Sequence, residues 1–432
     1  MPWTYAHVKR KGRRDLLSDE VPWRAMIAPW VVVQKKDYAV QRSYLVRGPD
    51  LLNESDEVQG AAMLQANEVF KRLGGEWMFQ SEAQRQQVHA LPPVQWRHPL
   101  PRLIDERRRQ DMLVARESRE TTYCMTLTWT PPKPILRRGV RYFIRGPGHP
   151  ASTSAEDDTA AAARTFVRNA DFVMDLLKGM LAVGVPLTSA ETATYLHNCV
   201  SDRWYTLQDL DDWNNLDHQL CDTPLDPAGW YPQLGHWHLR TMSVQGYPAE
   251  STVGIMRKLD AMNLDYRWST RWMGMEKYVQ QHFLKKTEAR WVNQEKSAFD
   301  RGLENFTGHH TRVIDPDATN KALDVNAARQ EIGMDLTAYG LFTSTVTVWD
   351  ADPLRVETKL TAVMQAFANA GFTIRAEDEH LVAAWLSSHP GNRVDNVRKT
   401  AQSALTLAHL APGLNATWPG PERDAYLQAG PW

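Results

Sequence analysis

Residues 123–130 read YCMTLTWT and form the clearest strand pattern of the chain. Large apolar side chains alternate with smaller ones that mostly carry a hydroxyl, as in a strand whose successive side chains point to opposite faces of a sheet. The apolar face consists of Tyr123, Met125, Leu127 and Trp129. Pro131 and Pro132 end the pattern, because proline has no N–H to donate to a neighbouring strand. We therefore predict a strand that packs its aromatic side on a core.

Strand and helix periods alternate outward from this strand in both directions. Upstream lie predicted strands at 31–33 and 40–47, a helix that begins near Ser55 and ends at Gly74 and Gly75, and a strand at 77–82. Downstream lie a loop over 145–154, a long helix from about Asp157 to near Gly184, and a shorter helix over 191–200. These segments make two β-α-β units.

The second half of the chain repeats this order. The third unit has a strand at 238–246, a helix capped by Ser251 or Thr252, a strand at 266–272 and helical sequence at 275–306. The fourth unit has a strand from Gly340, a helix that begins at Asp352 and Pro353, a strand at 372–375 and a helix at 378–386.

Four such units predict an α+β protein built from repeated, ferredoxin-like β-α-β units with mixed or antiparallel sheets. Residues 277–333 are polar and helical in period apart from a break at Gly308, which predicts a long helical arm over about 275–335. The stretch 221–235 is rich in Pro, Asp and Gly, so we expect it to separate an N-terminal half, residues 1–220, from a second half, residues 236–390.

The composition is that of a folded protein. The chain has 432 residues, of which 43% are hydrophobic, and 50 Lys+Arg against 51 Asp+Glu. These values exclude a collagen, a disordered tail and a disulfide scaffold. The balanced charge argues against binding of nucleic acid or acidic membrane through bulk electrostatics. Because no run of about 18 apolar residues occurs, we predict no transmembrane segment.

Tryptophan and cysteine usage adds two expectations. The 17 Trp outnumber the 11 Phe, which favours contacts with partner proteins because Trp is enriched at interfaces. The three cysteines, Cys124, Cys199 and Cys221, are odd in number and scattered. That distribution predicts buried thiols in a reducing compartment, without disulfides or a zinc cage.

Motifs for phosphate, metal or nucleophilic chemistry are missing from the sequence. No phosphate loop of the form GxxxxGKS or GxxxxGKT occurs. His236 and His238 share a face if a strand begins there, but two imidazoles are not a metal site. The pair at 309–310 lies in a predicted loop, and His380 and His389 flank the last helix of the fourth unit. We predict no catalytic, cofactor-binding or metal-binding residues.

Two basic segments are candidate binding surfaces. Residues 266–272 interleave basic and aromatic side chains, a pattern suited to single-stranded nucleic acid. Alternation places the aromatics opposite Arg267 and Arg271, which favours a core face and a solvated outer face. The run RRR at 107–109, beside DE at 105–106, predicts a solvated, salt-bridged helix face, with a contact to anionic lipid as the alternative.

A series of short motifs occurs in a set order. The series begins with RGPD at 47–50, Trp77, EAQR at 82–85, IDERR at 104–108, YCMTLTWTPP at 123–132, GYP at 246–248, the strand at 266–272 and Trp291. Its densest block, residues 371–420, holds AWL at 384–386, PGNR at 390–393, NVR at 396–398 and TWPG at 417–420. Together, over about 17–420, these motifs resemble the N-terminal region of the conjugal transfer ATPases of type IV secretion systems, TrbE/CagE type.

The resemblance implies a docking and assembly domain of a machine for DNA transfer and pilus assembly. It implies contacts between protomers, which are hexameric in the full-length family, and attachment to inner-membrane subunits from a cytoplasmic, membrane-peripheral position. In the family a motor domain follows, so residues 391–432 are expected to be a linker towards a motor that this chain lacks. ATP and Mg²⁺ are expected only in that motor, so we expect this chain to have no cofactor and no enzymatic activity.

Two other hypotheses stay open from the residues alone. One is a metal- or nucleotide-dependent enzyme with an unfamiliar site that uses His236, His238 or His380. The other is a single-stranded nucleic-acid binder that uses Arg267 and Arg271. The preferred hypothesis expects no direct contact with nucleic acid.

Overall fold

Thirteen strands form one sheet in the portion of the chain that the structure describes. This computed structural model describes residues 16–28, 30–49, 51, 54–87, 95–115, 119–130, 153–208, 215–248, 251–283, 330, 334–395, 398 and 400–414. Outside these ranges lie the proline pair at 131–132, most of the loop at 145–154, most of the predicted arm with Trp291, Gly308, His309 and His310, and the motifs at 396–397 and 417–420.

The elements follow one another with short connections in both halves. The first half contains α1 (Leu17–Glu20), β1 (Trp23–Ala28), β2 (Val31–Gln34), β3 (Val40–Arg47), α2 (Asp56–Phe70), β4 (Trp77–Gln87), α3 (Pro99–Ala115), β5 (Arg119–Trp129), α4 (Thr153–Lys178), β6 (Val183–Pro186), α5 (Ser189–Asn198) and α6 (Leu216–Leu220). The second half contains β7 (Leu225–Asp226), β8 (Gln233–Leu234), β9 (Trp237–Gly246), α7 (Arg257–Asp260), β10 (Tyr266–Gly274), β11 (Tyr339–Asp350), α8 (Pro353–Asn369), β12 (Thr373–Ala376), α9 (Leu381–Ser387), β13 (Thr400–Ser403) and α10 (Ala404–Leu410).

The sheet runs through both predicted halves. Its order is β1-β2-β3-β5-β4-β10-β11-β9-β8-β7, with β6 beside β3, β12 beside β9 and β13 beside β11. Every pairing among the described strands is antiparallel. The α+β class is therefore confirmed with an antiparallel sheet, and a mixed sheet is not found in the described ranges. The predicted domain boundaries stay predictions.

The two halves share one strand order. In the first half the strands lie as β6-β3-β5-β4, and in the second as β12-β9-β11-β10, each set connected strand-helix-strand-strand-helix-strand. The halves meet through β4 and β10, where Phe79 lies opposite Trp272 and Arg85 opposite Tyr266. Pairing these two strands removes an open edge from each half.

One face of the sheet, here the first face, carries the larger core. Phe79, Trp272 and Phe342 lie side by side across its centre and are fully buried. Helices α2, α4, α8 and α10 cover them with apolar side chains such as Phe166 and Leu407. Burying an aromatic side chain of this size stabilises a fold by roughly 1.5–3 kcal/mol.

A second core covers the opposite, second face. It contains Trp23 from β1, Leu196 from α5, Leu216 from α6 and Trp385 from α9. The sheet is thus buried on both sides near its middle, which explains why polar as well as apolar positions of the central strands are inaccessible to solvent.

The last described segment crosses from one face to the other. We call residues 388–414 the strap. It leaves α9 on the second face, pairs β13 with the first residues of β11, and packs α10 against α2 on the first face. Near its end, the Pro412 carbonyl accepts a hydrogen bond from Ser81 Oγ. A Cβ added to Gly48 would lie 2.3 Å from the Leu414 carbonyl oxygen, so only glycine fits there.

Local signals account for several helix starts. Asp352 caps α8 by accepting a hydrogen bond from the Leu354 N–H, and Pro353 follows as the first helical residue, as predicted. The predicted cap at Ser251 or Thr252 is wrong, because α7 begins only at Arg257 after a turn at Gly254 with φ of +70°. Among the described helices, none has the length and apolar content needed to cross a bilayer.

Candidate functional site

The second face of β4 and β10 carries a group of buried polar side chains, here called the polar layer. Its members are Gln80, Glu82, Arg267, Ser269 and Arg271. Each is at most 4% exposed, because α9 and the first residues of the strap lie over them. The expectation that Arg267 and Arg271 line a solvated outer face is therefore wrong. Alternation placed them correctly opposite the aromatics but could not show what covers them.

Arg267 and Glu82 form a buried, bidentate ion pair. Nε lies 2.6 Å from Oε1 and Nη2 lies 2.9 Å from Oε2. Nη2 also donates to the Ser388 carbonyl at 2.6 Å. Burial alone lowers the pKa of the Arg267 guanidinium, but Cys199 and Glu82 raise it further, so the pKa ends above its ordinary value. The pair joins the two halves and holds the start of the strap.

Arg271 is buried without a carboxylate partner. Its Nη1 donates to the Ser387 carbonyl at 2.8 Å and to the Asn392 carbonyl. Its Nε and Nη2 have no hydrogen-bond partner among the described residues. Burial lowers the pKa of this guanidinium to about 10, which still leaves it charged at neutral pH. A cation at the carboxyl end of α9 complements the negative end of the helix dipole.

The turn at 390–392 is held by side chains from distant strands. Gln80 donates to the Ser388 carbonyl at 2.7 Å and accepts from the Gly391 N–H at 3.2 Å. Trp23 Nε1 donates to the Pro390 carbonyl at 2.8 Å. Gly391 has φ of +80°, and a Cβ there would lie 1.6 Å from Gln41 Oε1. The PGNR motif of the densest block thus lies at the centre of the molecule.

Cys199 and His389 border the polar layer and are both inert. Cys199 Sγ lies 3.8 Å from Glu82 Oε1, and burial raises the pKa of its thiol well above the usual range. His389 is fully buried, with ring centroids 5.6 Å from Trp23 and 4.6 Å from Trp385. Burial holds the pKa of His389 well below its usual value, so the ring is neutral. Cys124 is buried as predicted, whereas Cys221 is half-buried.

The histidines considered as metal ligands lie in separate environments. His236 Nδ1 lies 2.5 Å from Asp202 Oδ2, while His238 contacts the Gln233 amide at 3.3 Å. His380 precedes α9. No group of three or more His, Cys, Asp or Glu suited to a metal ion occurs in the described ranges.

A hydrogen-bond network around Asp202 and Asp222 was not foreseen. Thr223 Oγ1 donates to Asp202 Oδ1 at 2.9 Å, and Ser201 Oγ donates to Asp222 Oδ1 at 2.7 Å. His197 Nε2 lies 3.2 Å from Asp222 Oδ2. Because Ser201 donates to the carboxylate instead of to a histidine, the network is no activated nucleophile. It ties the end of α5 to the β7–β8 hairpin.

Helix α3 is the most exposed long element of the described structure. It is inserted between β4 and β5 and lies along no other described helix or strand. Leu100, Leu103 and Ile104 are 66%, 62% and 62% exposed. The predicted salt-bridged face is confirmed by ion pairs at i,i+4 spacing, Arg102–Glu106, Arg107–Asp111 and Arg109–Asp105.

The buried groups and the exposed helix have different chemical capacities. The polar layer fixes the strap but offers neither an open cavity nor an unhindered nucleophile among the residues described here. Helix α3 offers an apolar surface without a partner in this chain. The arrangement therefore supports contacts with other macromolecules more than chemistry on a small substrate.

Comparison with known proteins identifies one family. Residues 31–135 match the family described as "Type IV secretion system ATPase VirB4/TrbE, N-terminal domain". This segment runs from β2 through β5 and includes α3.

Individual relatives extend the similarity over most of the chain. The chain is 27% identical over 416 residues to "Conjugal transfer protein TrbE" of Rhizobium radiobacter, which covers 93% of this chain and 50% of the relative. In Sinorhizobium fredii (strain NBRC 101917 / NGR234), two separate proteins share the description "Probable conjugal transfer protein TrbE", and each matches a different share of this chain. One is 30% identical over 192 residues, covering 44% of this chain and 28% of that relative. The other is 26% identical over 136 residues, covering 31% of this chain and 91% of that relative.

The chain thus spans about half the length of the Rhizobium radiobacter protein. The motif order read from the sequence and these matches agree. The chain is confirmed as similar to the N-terminal region of a type IV secretion system ATPase of the VirB4/TrbE family.

Proposed function

We propose that this chain is a docking and assembly domain of a conjugal-transfer machine, without catalysis of its own. The observation that carries the proposal is the similarity to conjugal transfer protein TrbE over 93% of the chain. The absence of a GxxxxGKS or GxxxxGKT motif from the sequence is consistent with it. ATP and Mg²⁺ would be bound in the region of the longer relatives that this chain does not match.

The architecture suits a scaffold with projecting contact elements. We interpret the shared strand order of the two halves as two ferredoxin-like repeats joined edge to edge. Both halves have their insertion in the same connection, between β4 and β5 and between β10 and β11. We infer that these insertions reach the partners, which are neighbouring protomers and inner-membrane subunits, from a cytoplasmic, membrane-peripheral position.

Co-purification tests this proposal. A tagged chain is co-expressed with the inner-membrane subunits of its own transfer operon, extracted in mild detergent and purified. We expect at least one subunit to co-purify in a fixed ratio, and no ATP hydrolysis by the purified chain. Elution of the chain alone from every combination, or saturable ATP binding by calorimetry, would contradict the proposal.

The alternative functions gain no support from the geometry. Nucleic acid cannot reach Arg267 and Arg271 in this fold, because α9 and the strap cover them. His236, His238 and His380 are not gathered around a common point that could hold a metal.

A further inference from the structure

An exposed 17-residue helix needs an explanation for its stability. Helix α3 packs along no other described element, and isolated helices of about this length are marginal in water. The three i,i+4 ion pairs contribute only about 0.3–0.5 kcal/mol each. A helix in this position gains most from covering its apolar side chains with a partner.

The apolar side chains of α3 form a continuous stripe. At 100° per residue, Leu100, Leu103 and Ile104 fall within an arc of about 100°. Arg107 and Asp111 continue the same arc towards the carboxyl end. Arg97 lies just before the helix and is exposed. The stripe therefore has a cation at its amino end, an apolar centre, and a carboxylate at its carboxyl end.

This charge pattern is complementary to itself when the helix is reversed. We propose that α3 pairs with α3 of a second copy of this chain, antiparallel about a two-fold axis near Leu103 and Ile104. In this arrangement Arg97 of each copy faces Asp111 of the other, and the apolar centres cover each other. The arginine stem at position 107 lies over Leu100 of the second copy. The inference deepens the proposed function, since it assigns a surface to the contact between protomers.

The pattern fits a second copy better than a membrane surface. The segment 95–111 holds three carboxylates, Asp105, Glu106 and Asp111, each paired with an arginine of the same helix. Interfacial helices instead carry an excess of unpaired cations and a longer apolar face.

The size of the stripe sets the expected affinity. Three apolar side chains per copy bury less than the roughly 1,200 Å² of a stable complex. We expect a monomer–dimer equilibrium visible at micromolar or higher concentrations.

Sedimentation velocity over a range of concentrations tests the pairing. We expect Leu103→Glu to weaken dimerisation at least tenfold. Leu354→Glu is the matched control, because Leu354 is 75% exposed on α8 and should leave dimerisation unchanged. Circular dichroism checks that both variants remain folded. Equal dimerisation of wild type and Leu103→Glu would overturn the proposal.

A charge exchange tests the antiparallel geometry. We expect Asp111→Arg alone to weaken the dimer and the double variant Arg97→Asp/Asp111→Arg to restore it. Failure of the double variant to recover would overturn the two-fold arrangement. Vesicles of phosphatidylglycerol and phosphatidylcholine provide the other arm, since binding that depends on Leu103 in a strictly monomeric chain would assign α3 to the membrane instead. Neither result depends on co-purification with membrane subunits, so failure of the pairing and failure of the proposed function are distinguishable.

Discussion

The Arg267–Glu82 pair illustrates how much one residue depends on a distant partner. Its two members are 185 positions apart in sequence and both are buried. Removing one member of such a pair leaves an uncompensated charge in a medium of low polarity.

We expect Glu82→Gln to lower the free energy of unfolding by about 3–5 kcal/mol, measured by urea denaturation. The exposed Lys178–Asp175 pair provides the control, and Lys178→Gln should change the stability by less than about 1 kcal/mol. The double variant Glu82→Met/Arg267→Met should recover most of the loss, because apolar replacement removes both charges. Similar losses for Glu82→Gln and Lys178→Gln would show that the buried pair is not a stabilising contact.

Gly391 offers a second test at this scale. We expect Gly391→Ala to be destabilising because its Cβ would lie 1.6 Å from Gln41 Oε1, in addition to the strain of a φ of +80°. Gly229 has φ of +82° and no atom within 4 Å of an added Cβ. Gly229→Ala should therefore cost only the strain, about 1–2 kcal/mol, and Gly391→Ala about 1–3 kcal/mol more. Thermal unfolding of both variants compares them directly, and equal shifts would refute the close approach.

Acid sensitivity should come from Asp202. Burial alone raises the pKa of this carboxyl, but hydrogen bonds from His236 and Thr223 lower it below the usual value. Its stabilising contribution is therefore present above the unfolded pKa of about 3.9 and is lost as pH falls through the folded pKa. We expect the stability difference between wild type and Asp202→Asn to shrink as urea titrations move from pH 6 to pH 3. A difference that grows on acidification would contradict this sign.

At the scale of elements, helix caps decide where helices begin. Thr188 and Glu191 form a capping box, in which Thr188 Oγ1 accepts from the Glu191 N–H and Glu191 accepts from the Thr188 N–H. Replacing such a cap by alanine costs about 0.5–2 kcal/mol. We expect this loss for Thr188→Ala and almost none for Thr358→Ala, whose hydroxyl only donates to the Leu354 carbonyl within α8. Chemical denaturation of the two variants measures the difference.

Elements with a strong period were predictable from the sequence. Alternation located β5 and β10, and Asp352 with Pro353 located the start of α8. Short strands such as β6 and β13 have four residues each, too few to show a period. The helix α7 was placed too early because serine and threonine also occur in turns that no helix follows.

The candidate site was less predictable than the elements. Arg267 and Arg271 were assigned to the correct side of β10, but the turn at 390–392 that covers them is more than 110 residues away in sequence. Asp202 was missed as the partner of His236 for the same reason. Such contacts are set by tertiary packing, and no local pattern encodes them.

At the scale of the whole molecule, the joined sheet makes the halves interdependent. Strands β4 and β10 pair over eight residues of each, and both contribute to the polar layer. We expect tryptophan fluorescence and far-ultraviolet circular dichroism to report a single, coincident unfolding transition. Two separated transitions would instead indicate that residues 1–220 and 236–390 are independent domains, as their predicted boundary implies.

The strap has a mechanical consequence. Its β13 strand is bonded laterally to β11, and its two ends are held on opposite faces of the sheet by Arg271 near one end and by Ser81 near the other. A pull along the chain beyond Leu414 would load these bonds together, in shear, and would act on the seam between the halves instead of on an outer edge. The protein is thus built so that tension at that point is resisted by its most deeply buried contacts.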